Sequence, residues 1–373
     1  MKIKTITCHD VYNYGASLQA FALQSFLESN GHDVEIIDYK PNYIDLHYKV
    51  STYIHPDSPL FKYIHGSFLL RLIYGLKRFV WYIPSWSRKM AFDAFTRTKL
   101  KLTKTYKSYS ALCRETPDAD TYIVGSDQVW NSVTMYNGND PTFYLQFAPK
   151  AKKRIAYAAS FGSTSCSEEH REEIKQWLSS LGSISVREKS GVELLNRLGI
   201  NGTHVCDPVF LLTENEWRSK LNIGERSERY VLIYNLTSRN EKLVNDAKRA
   251  AECLGVKLYS VSPFKIPEAD LNFNNVGPEE FISLIFNSSY VFTNSFHATA
   301  LSIIARRQFC TYNYHSISNS SRMYSVLEEM DLLDRLNPED VEKSIKNPIN
   351  YDCKSDAIEA SANRGRGWLL NNI

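Results

Sequence analysis

Short apolar runs rich in β-branched and aromatic residues alternate along this chain with longer stretches whose apolar positions recur at helical spacing. The first unit predicts a strand at 3–7, then a turn over Tyr12, Asn13, Tyr14, Gly15, Ala16 and Ser17. A helix follows at 18–29, with Leu18, Phe21, Ala22, Ser25 and Phe26 on related faces, and Gly31 ends it before a second strand at 34–38. A β-α-β unit of this kind implies a parallel sheet, and ligands of such sheets bind beyond the carboxyl ends of the strands, where the Asn13 turn falls.

The alternation breaks over about 60–105, where Phe61, Tyr63, Phe68, Tyr74, Phe79, Trp81, Tyr82 and Trp86 lie among Lys62, Arg71, Lys77, Arg78, Arg88 and Lys89. It resumes with predicted strands at 121–127, 154–160 and 183–187, a helix at 188–198, and a closing segment at 204–208. A polar stretch at 213–228 reads as a boundary. Beyond it come a strand at 230–234, a helix at 240–254 ended by Gly255, a strand at 256–261, and a helix at 278–287 with Pro278 in its first turn. A strand at 290–293, a helix at 295–306 and a strand at 308–312 complete the pattern. The expected fold class is therefore α/β, with two Rossmann-like domains facing a cleft. The first domain covers 1–218 and includes the aromatic-basic insertion, and the second covers 219–350. A last helix lies in 351–373, and its return to the first domain is left open by the pattern.

Composition narrows the function classes. A formal net charge of +3 is too small to argue for nucleic-acid binding. The seven cysteines are scattered, odd in number and free of any CxxC pair, which argues against a disulfide framework or a structural zinc site and suits a reducing cytoplasm. The chain opens directly into a strand, with no leader-like apolar region and no run long enough to span a membrane. The expected location is the cytoplasm. The aromatic-basic stretch reads as a helical insertion packed on the first domain, as a peripheral contact with the inner membrane face through 60–100, or as a nucleic-acid contact that nothing else in the chain supports.

Familiar catalytic signatures are absent. There is no GxxxxGK[ST] loop, GxGxxG fingerprint, HExxH pair or GxSxG elbow, and the lone Asp118-Ala119-Asp120 enters a strand from its amino end, so no metal site is expected. Three segments carry candidate chemistry. Thr293-Asn294-Ser295-Phe296-His297 joins a strand to a helix, with Asn294 or Ser295 as the N-cap and His297 on the first turn. A histidine there either meets an anion or delivers a proton, or else satisfies a loop carbonyl. Gly125-Ser126-Asp127-Gln128-Val129-Trp130 follows a buried strand; Asp127 reads as a general base or as a helix cap, and Trp130 as a sugar-stacking wall or as core. Arg187 ends a strand, placed either to fork onto a carboxylate or phosphate or to pair with Glu188 or Glu193. Asp207-Pro208 reads as a turn starter, and Cys8-His9-Asp10 as incidental.

Taken together, Asn13-Tyr14-Gly15-Ala16-Ser17-Leu18-Gln19-Ala20, Ile37-Asp38-Tyr39, Gly125 to Trp130, Ser185-Val186-Arg187-Glu188, the 206–212 segment and Thr293 to His297 resemble the polysaccharide pyruvyl transferases over nearly the whole chain. The resemblance implies a fold like that of GT-B glycosyltransferases. It also implies transfer of pyruvate from phosphoenolpyruvate, a donor substrate used without a cofactor, onto two sugar hydroxyls in capsule or exopolysaccharide assembly of bacteria. The implied acceptor is a sugar or a lipid-linked oligosaccharide. Carried onto this chain, Arg187 would meet the donor anion, together with Asn294, Ser295, Phe296 and His297. His297 would protonate the enolpyruvyl group and Asp127 would be the base, with Asn13, Tyr14, Gly15, Ser126, Gln128 and Trp130 toward the acceptor. Family members carry Arg-Leu-His where this chain has Ser295-Phe296-His297, so one cation is missing; Arg239, Arg306, Arg307 and Arg322 are the candidates to replace it. A GT-B glycosyltransferase using a nucleotide sugar and a non-catalytic glycan-binding protein are the alternatives.

Overall fold

The computed structural model describes residues 1–41, 43, 67, 69–70, 72–74, 86–133, 136–236, 238–313 and 317–373. Among these, β1 (Lys2–Ile6), β2 (Asp33–Tyr39), β3 (Leu102–Tyr106), β4 (Thr121–Val124), β5 (Lys153–Ala159), β6 (Ser183–Val186) and β7 (Thr203–His204) form one parallel sheet. Its strand order is β3-β2-β1-β4-β5-β6-β7. A second parallel sheet holds β8 (Tyr230–Tyr234), β9 (Lys257–Ser260), β10 (Leu271–Asn272), β11 (Tyr290–Thr293) and β12 (Gln308–Thr311), in the order β10-β9-β8-β11-β12. Strands β4 and β8 are buried at every position, as continuous apolar strands flanked by helices must be. The direction of strand order reverses between β1 and β4 in one sheet and between β8 and β11 in the other. These are the switch points at which open α/β sheets leave a crevice.

Helix α1 (Tyr14–Ser29) starts earlier than the apolar period predicts. The Asn13 side chain accepts from the backbone N–H of Gly15 (2.9 Å) and Ala16 (3.4 Å), so Tyr14 to Ser17 form the first helical turn rather than a loop. The later part of the expected insertion is an integral layer. Helix α2 (Trp86–Lys99) buries Phe92 and Phe95, and β3 pairs with β2 as the edge strand. Most of its earlier aromatic and basic positions, Lys77 and Arg78 among them, lie outside the described residues.

The remaining helices are α3 (Tyr109–Arg114), α4 (Arg171–Ser179), α5 (Lys189–Arg197), α6 (Glu214–Leu221), α7 (Glu241–Leu254), α8 (Pro278–Phe286), α9 (Phe296–Ile304), α10 (Ile317–Glu329), α11 (Val341–Lys346) and α12 (Tyr351–Asn372). Asn240 caps α7, and Gly255 closes it in the left-handed conformation. Helix α12 lies against the first sheet: Trp368 packs 6.0 Å from Tyr157 between ring centroids, and Lys153 Nζ donates to the Ile373 carbonyl at 3.0 Å. One apolar core runs through both halves, joining Phe21 and Leu23 of α1 to Trp217, Phe281 and Leu301. Tyr14 stacks flat on Phe281, with centroids 4.1 Å apart, and donates to the Val276 carbonyl at 2.9 Å. The two sheets thus meet through α1, α8 and α9, with their switch points facing one another.

Candidate functional site

Each site residue comes from the carboxyl end of a strand or the helix that follows it. Strand β4 runs into Gly125-Ser126-Asp127. Gly125 adopts φ +115°, and a Cβ there would lie 2.2 Å from the Tyr157 carbonyl, so only glycine lets this turn close over β5. Strand β6 delivers Arg187, and the segment after β7 delivers Asp207. In the second half β11 ends at Thr293, Ser295 Oγ accepts from the Ala298 N–H at 3.5 Å to cap α9, and His297 follows on the first turn. Across the junction the imidazole packs closely on α1: a Cβ on Gly15 would fall 2.0 Å from His297 Nδ1. Any side chain at position 15 would displace that ring.

Arg187 is the hub. Its Nη1 donates to Asp207 Oδ2 at 2.6 Å, Nη2 to Asp127 Oδ1 at 3.0 Å, and Nε to Glu188 Oε1 at 3.4 Å. The Phe296 ring lies 5.2 Å from its guanidinium carbon. His297 Nε2 stands 3.5 Å from both Asp207 Oδ2 and Arg187 Nη1. Ser126 Oγ donates to the Ala158 carbonyl at 2.7 Å and lies 3.1 Å from Asp207 Oδ2. Arg322 of α10 approaches Glu188 at 4.0 Å. With its amide oxygen turned toward Arg322, Gln128 accepts from both terminal nitrogens of that guanidinium, at 2.6 and 2.9 Å.

These charges tune one another. Burial works against ionisation of Asp207, but His297 and then Arg187 outweigh it and hold the carboxyl well below its ordinary range. Asp127 is likewise held low against burial by Arg187, then His297 and Arg322. Arg187 is buried, yet its three carboxylates raise it above the ordinary guanidinium value. Arg322 goes the other way, pushed down to about 10 by burial and by the like charge of Arg187.

Exposure sorts the cluster into two layers. Arg187 and Asp207 expose 0% of their side-chain surface and Glu188 4%, whereas Asp127 exposes 20%, Arg322 12% and His297 10%. A ligand arriving from solvent therefore meets Asp127, Arg322 and His297 first. Arg187 lies behind them with its donors engaged by Glu188, the pairing that its place in the sequence offered, and by two further carboxylates, Asp127 and Asp207.

Several side chains expected at the ligand have other partners. Trp130 is fully buried, stacked on Tyr144, and donates from its indole to the Phe143 carbonyl at 2.8 Å, so it is core and offers no sugar a wall. Ser126 is buried beneath Asp127. Tyr14 turns toward α8 rather than into the site. Asn294 is turned aside, accepting from the Leu236 N–H at 2.7 Å and donating to Asn235 at 3.3 Å, which ties the β8 and β11 loops together. Asn13 and Ser295 serve as helix caps. Gly15, Gln128, Phe296 and His297 gather at the site with Asp127 and Arg187. Of the four candidate replacement arginines, Arg239 pairs with Glu268 and Glu241, Arg306 with Asp352, and Arg307 with Glu214, all elsewhere; Arg322 alone among them joins the cluster.

Asp207 was legible only as a turn starter, and that reading is half of its role. Its Oδ1 accepts from the Val209 N–H at 3.1 Å while Oδ2 faces the site. The available signal was a carboxylate soon after a strand of a parallel sheet.

The profile of the polysaccharide pyruvyl transferase family matches residues 13–316. No curated protein matches the sequence. Among solved structures, the UGT89C1–quercetin complex of Arabidopsis thaliana is similar at 11% identity and TM-score 0.50, over 99% of this chain and 98% of that one. The UDP co-structure of S. aureus MnaA is similar at 12% identity and TM-score 0.46, over 93% of this chain and 87% of that one. The UDP-GlcNAc 2-epimerase of Methanocaldococcus jannaschii is similar at 14% identity and TM-score 0.44, over 97% and 93%. At such identities the first of these likenesses speaks to the fold alone, the paired parallel sheets of the GT-B type.

Proposed function

Because the chain belongs to the polysaccharide pyruvyl transferase family, we propose that it moves the enolpyruvyl group of phosphoenolpyruvate onto two hydroxyls of one sugar to form a cyclic ketal. The supporting observation is the outer, less deeply buried layer of the site, in which one imidazole, one guanidinium and one carboxylate converge where the two sheets meet. Phosphoenolpyruvate is small and multiply anionic. Arg322, unfavourably buried beside Arg187, gains from any anion that approaches, and the amino end of α9 adds backbone N–H groups.

In this reading His297 protonates the methylene carbon, and C2 becomes electron-poor. A first sugar hydroxyl adds to C2 and gives its proton to Asp127; a second then displaces phosphate. One hydroxyl proton thereby replaces the one His297 spent, and the other leaves with phosphate. Asp127 is a weak base at rest because Arg187 holds it ionised, so it accepts the proton only as the attacking oxygen becomes acidic. No cofactor is required. The proposed acceptor is a sugar of a capsule or exopolysaccharide precursor.

Phosphate release from phosphoenolpyruvate across galactosyl, glucosyl and mannosyl acceptors tests the reading directly. Thermal protection by UDP-sugars but not by phosphoenolpyruvate would replace it with nucleotide-sugar transfer. Arg322→Ala is expected to raise KM for phosphoenolpyruvate by about 10- to 100-fold, the loss of charged hydrogen bonds to the donor. An unchanged KM would remove Arg322 from the donor site.

We further propose that the acceptor is lipid-linked and approached at the inner membrane face. Among the described residues, Leu69, Leu70, Leu72, Ile73, Trp86 and Met90 are exposed within one stretch of the sequence. Arg88 is turned inward, donating to the Tyr12 carbonyl at 3.1 Å and lying over Tyr14, and Lys89 pairs with Asp93, so the apolar positions carry this idea better than those two cations. Trp86→Ser combined with Met90→Ser is expected to reduce flotation with anionic liposomes; equal flotation would remove the membrane contact.

A further inference from the structure

We propose that Asp207 is a positioning residue that grips the Nε2 edge of His297, so that the ring exchanges its proton with substrate through Nδ1. The inference rests on the pyruvyl-transfer reading and assigns it a specific atom. Nε2 stands between an acceptor, Asp207 Oδ2, and a donor, Arg187 Nη1, each at 3.5 Å. Asp207 cannot turn away. It is fully buried, receives Arg187 at 2.6 Å, lies 3.1 Å from Ser126 Oγ, and is tied at its other oxygen to the Val209 N–H at 3.1 Å.

The consequence is a choice of tautomer. A charged imidazole directs Nε2–H at Asp207. If Nδ1 then gives up its proton, that contact survives unchanged. If Nε2 gave up its proton instead, its lone pair would confront the buried Asp207 carboxylate, with the second Nη1–H of Arg187, also 3.5 Å away, as its one compensating donor. The Nδ1 edge is different: among the described residues it makes no hydrogen bond, and the group beside it is Gly15, which has no side chain. The site thus holds one nitrogen beside Asp207 and, among the described residues, gives the other no hydrogen-bonding partner. In the transfer step the Nδ1–H bond breaks, with its electron pair staying on nitrogen. The C–H bond forms from the enol double bond, leaving C2 cationic for the acceptor oxygen. The proton that recharges the ring comes from an acceptor hydroxyl.

Two measurements test this. Long-range proton–nitrogen NMR spectra of the native protein, with the ring of His297 assigned by its loss in His297→Ala, are expected to show the neutral ring at alkaline pH protonated on Nε2 and bare on Nδ1. A ring protonated on Nδ1 overturns the proposal, whatever the enzyme's activity. Asp207→Asn, which keeps the shape but not the charge, is expected to lower kcat for phosphate release by about 10²- to 10⁴-fold, with KM for phosphoenolpyruvate within about three-fold of native. A loss confined to KM overturns it. If Asp207→Asn does not fold, the spectra decide alone. Full phosphate release by His297→Ala defeats the pyruvyl-transfer role of His297 instead, and is told apart from a wrong tautomer because the spectra need no turnover.

Discussion

Replacing His297 by alanine is expected to lower phosphoenolpyruvate-dependent phosphate release by about 10²- to 10⁴-fold, the usual worth of a positioned general acid. The fold is expected to survive. His297 begins α9, where alanine is a good helix former, and removing the ring leaves Asp207 still paired with Arg187 at 2.6 Å and Ser126 at 3.1 Å. Steady-state phosphate release, read beside the thermal midpoint of the same preparation, separates lost chemistry from lost structure. A variant that folds and turns over at the native rate would end the assignment of His297 as the acid.

Arg187→Met is expected to act in the opposite way, on stability first. Arg187 neutralises Asp207, Asp127 and Glu188 from a fully buried position. Removing one partner of a buried ion cluster costs about 3–5 kcal/mol, because carboxylates are left without a counter-charge in a poorly polarisable interior. Urea unfolding near neutral pH is expected to show a loss of that order. The pH dependence carries the sign. In the native protein the depressed Asp207 stabilises the fold above the unfolded carboxyl range, and this contribution is lost as pH falls through its folded value. Without Arg187 the carboxyl protonates more readily, so the gap between variant and native narrows toward acid pH. A loss under about 0.5 kcal/mol, of the size seen for an exposed pair, would mean that the cluster is not the structural keystone of the site.

The two variants separate roles that the sequence had merged. Arg187 at the end of β6 was legible as a cation at a ligand-binding edge, and the fold places it there. Its pairing with Glu188 was legible too, but not that Asp127 and Asp207 would join, because they come from two other strand ends. Arg322 shows the converse. Nothing in its neighbourhood of α10 marks it, and it enters the site because α10 packs beside α9 in the second half and carries Arg322 across the junction to Glu188. Trp130 failed as a ligand contact for a simple reason: a large aromatic after a strand lowers free energy most by burial, and Tyr144 and Phe161 complete its pocket from more distant positions.

Local information sufficed for the alternation of strands and helices, a cap at Asn294 or Ser295 (the structure uses Ser295), the end of α7 at Gly255, and the arrival of Ser126, Asp127, Arg187 and His297 at carboxyl edges of parallel strands. Periodicity, capping and glycine conformation act over a few residues, so they are written in the chain directly. Which side chains keep contact with solvent, which carboxylate stands beside the histidine, and which arginine joins the cluster depend on how two separately built sheets dock. Docking brings together atoms more than a hundred positions apart, as between Gly15 and His297, and burial then decides which of the gathered charges stay available for chemistry.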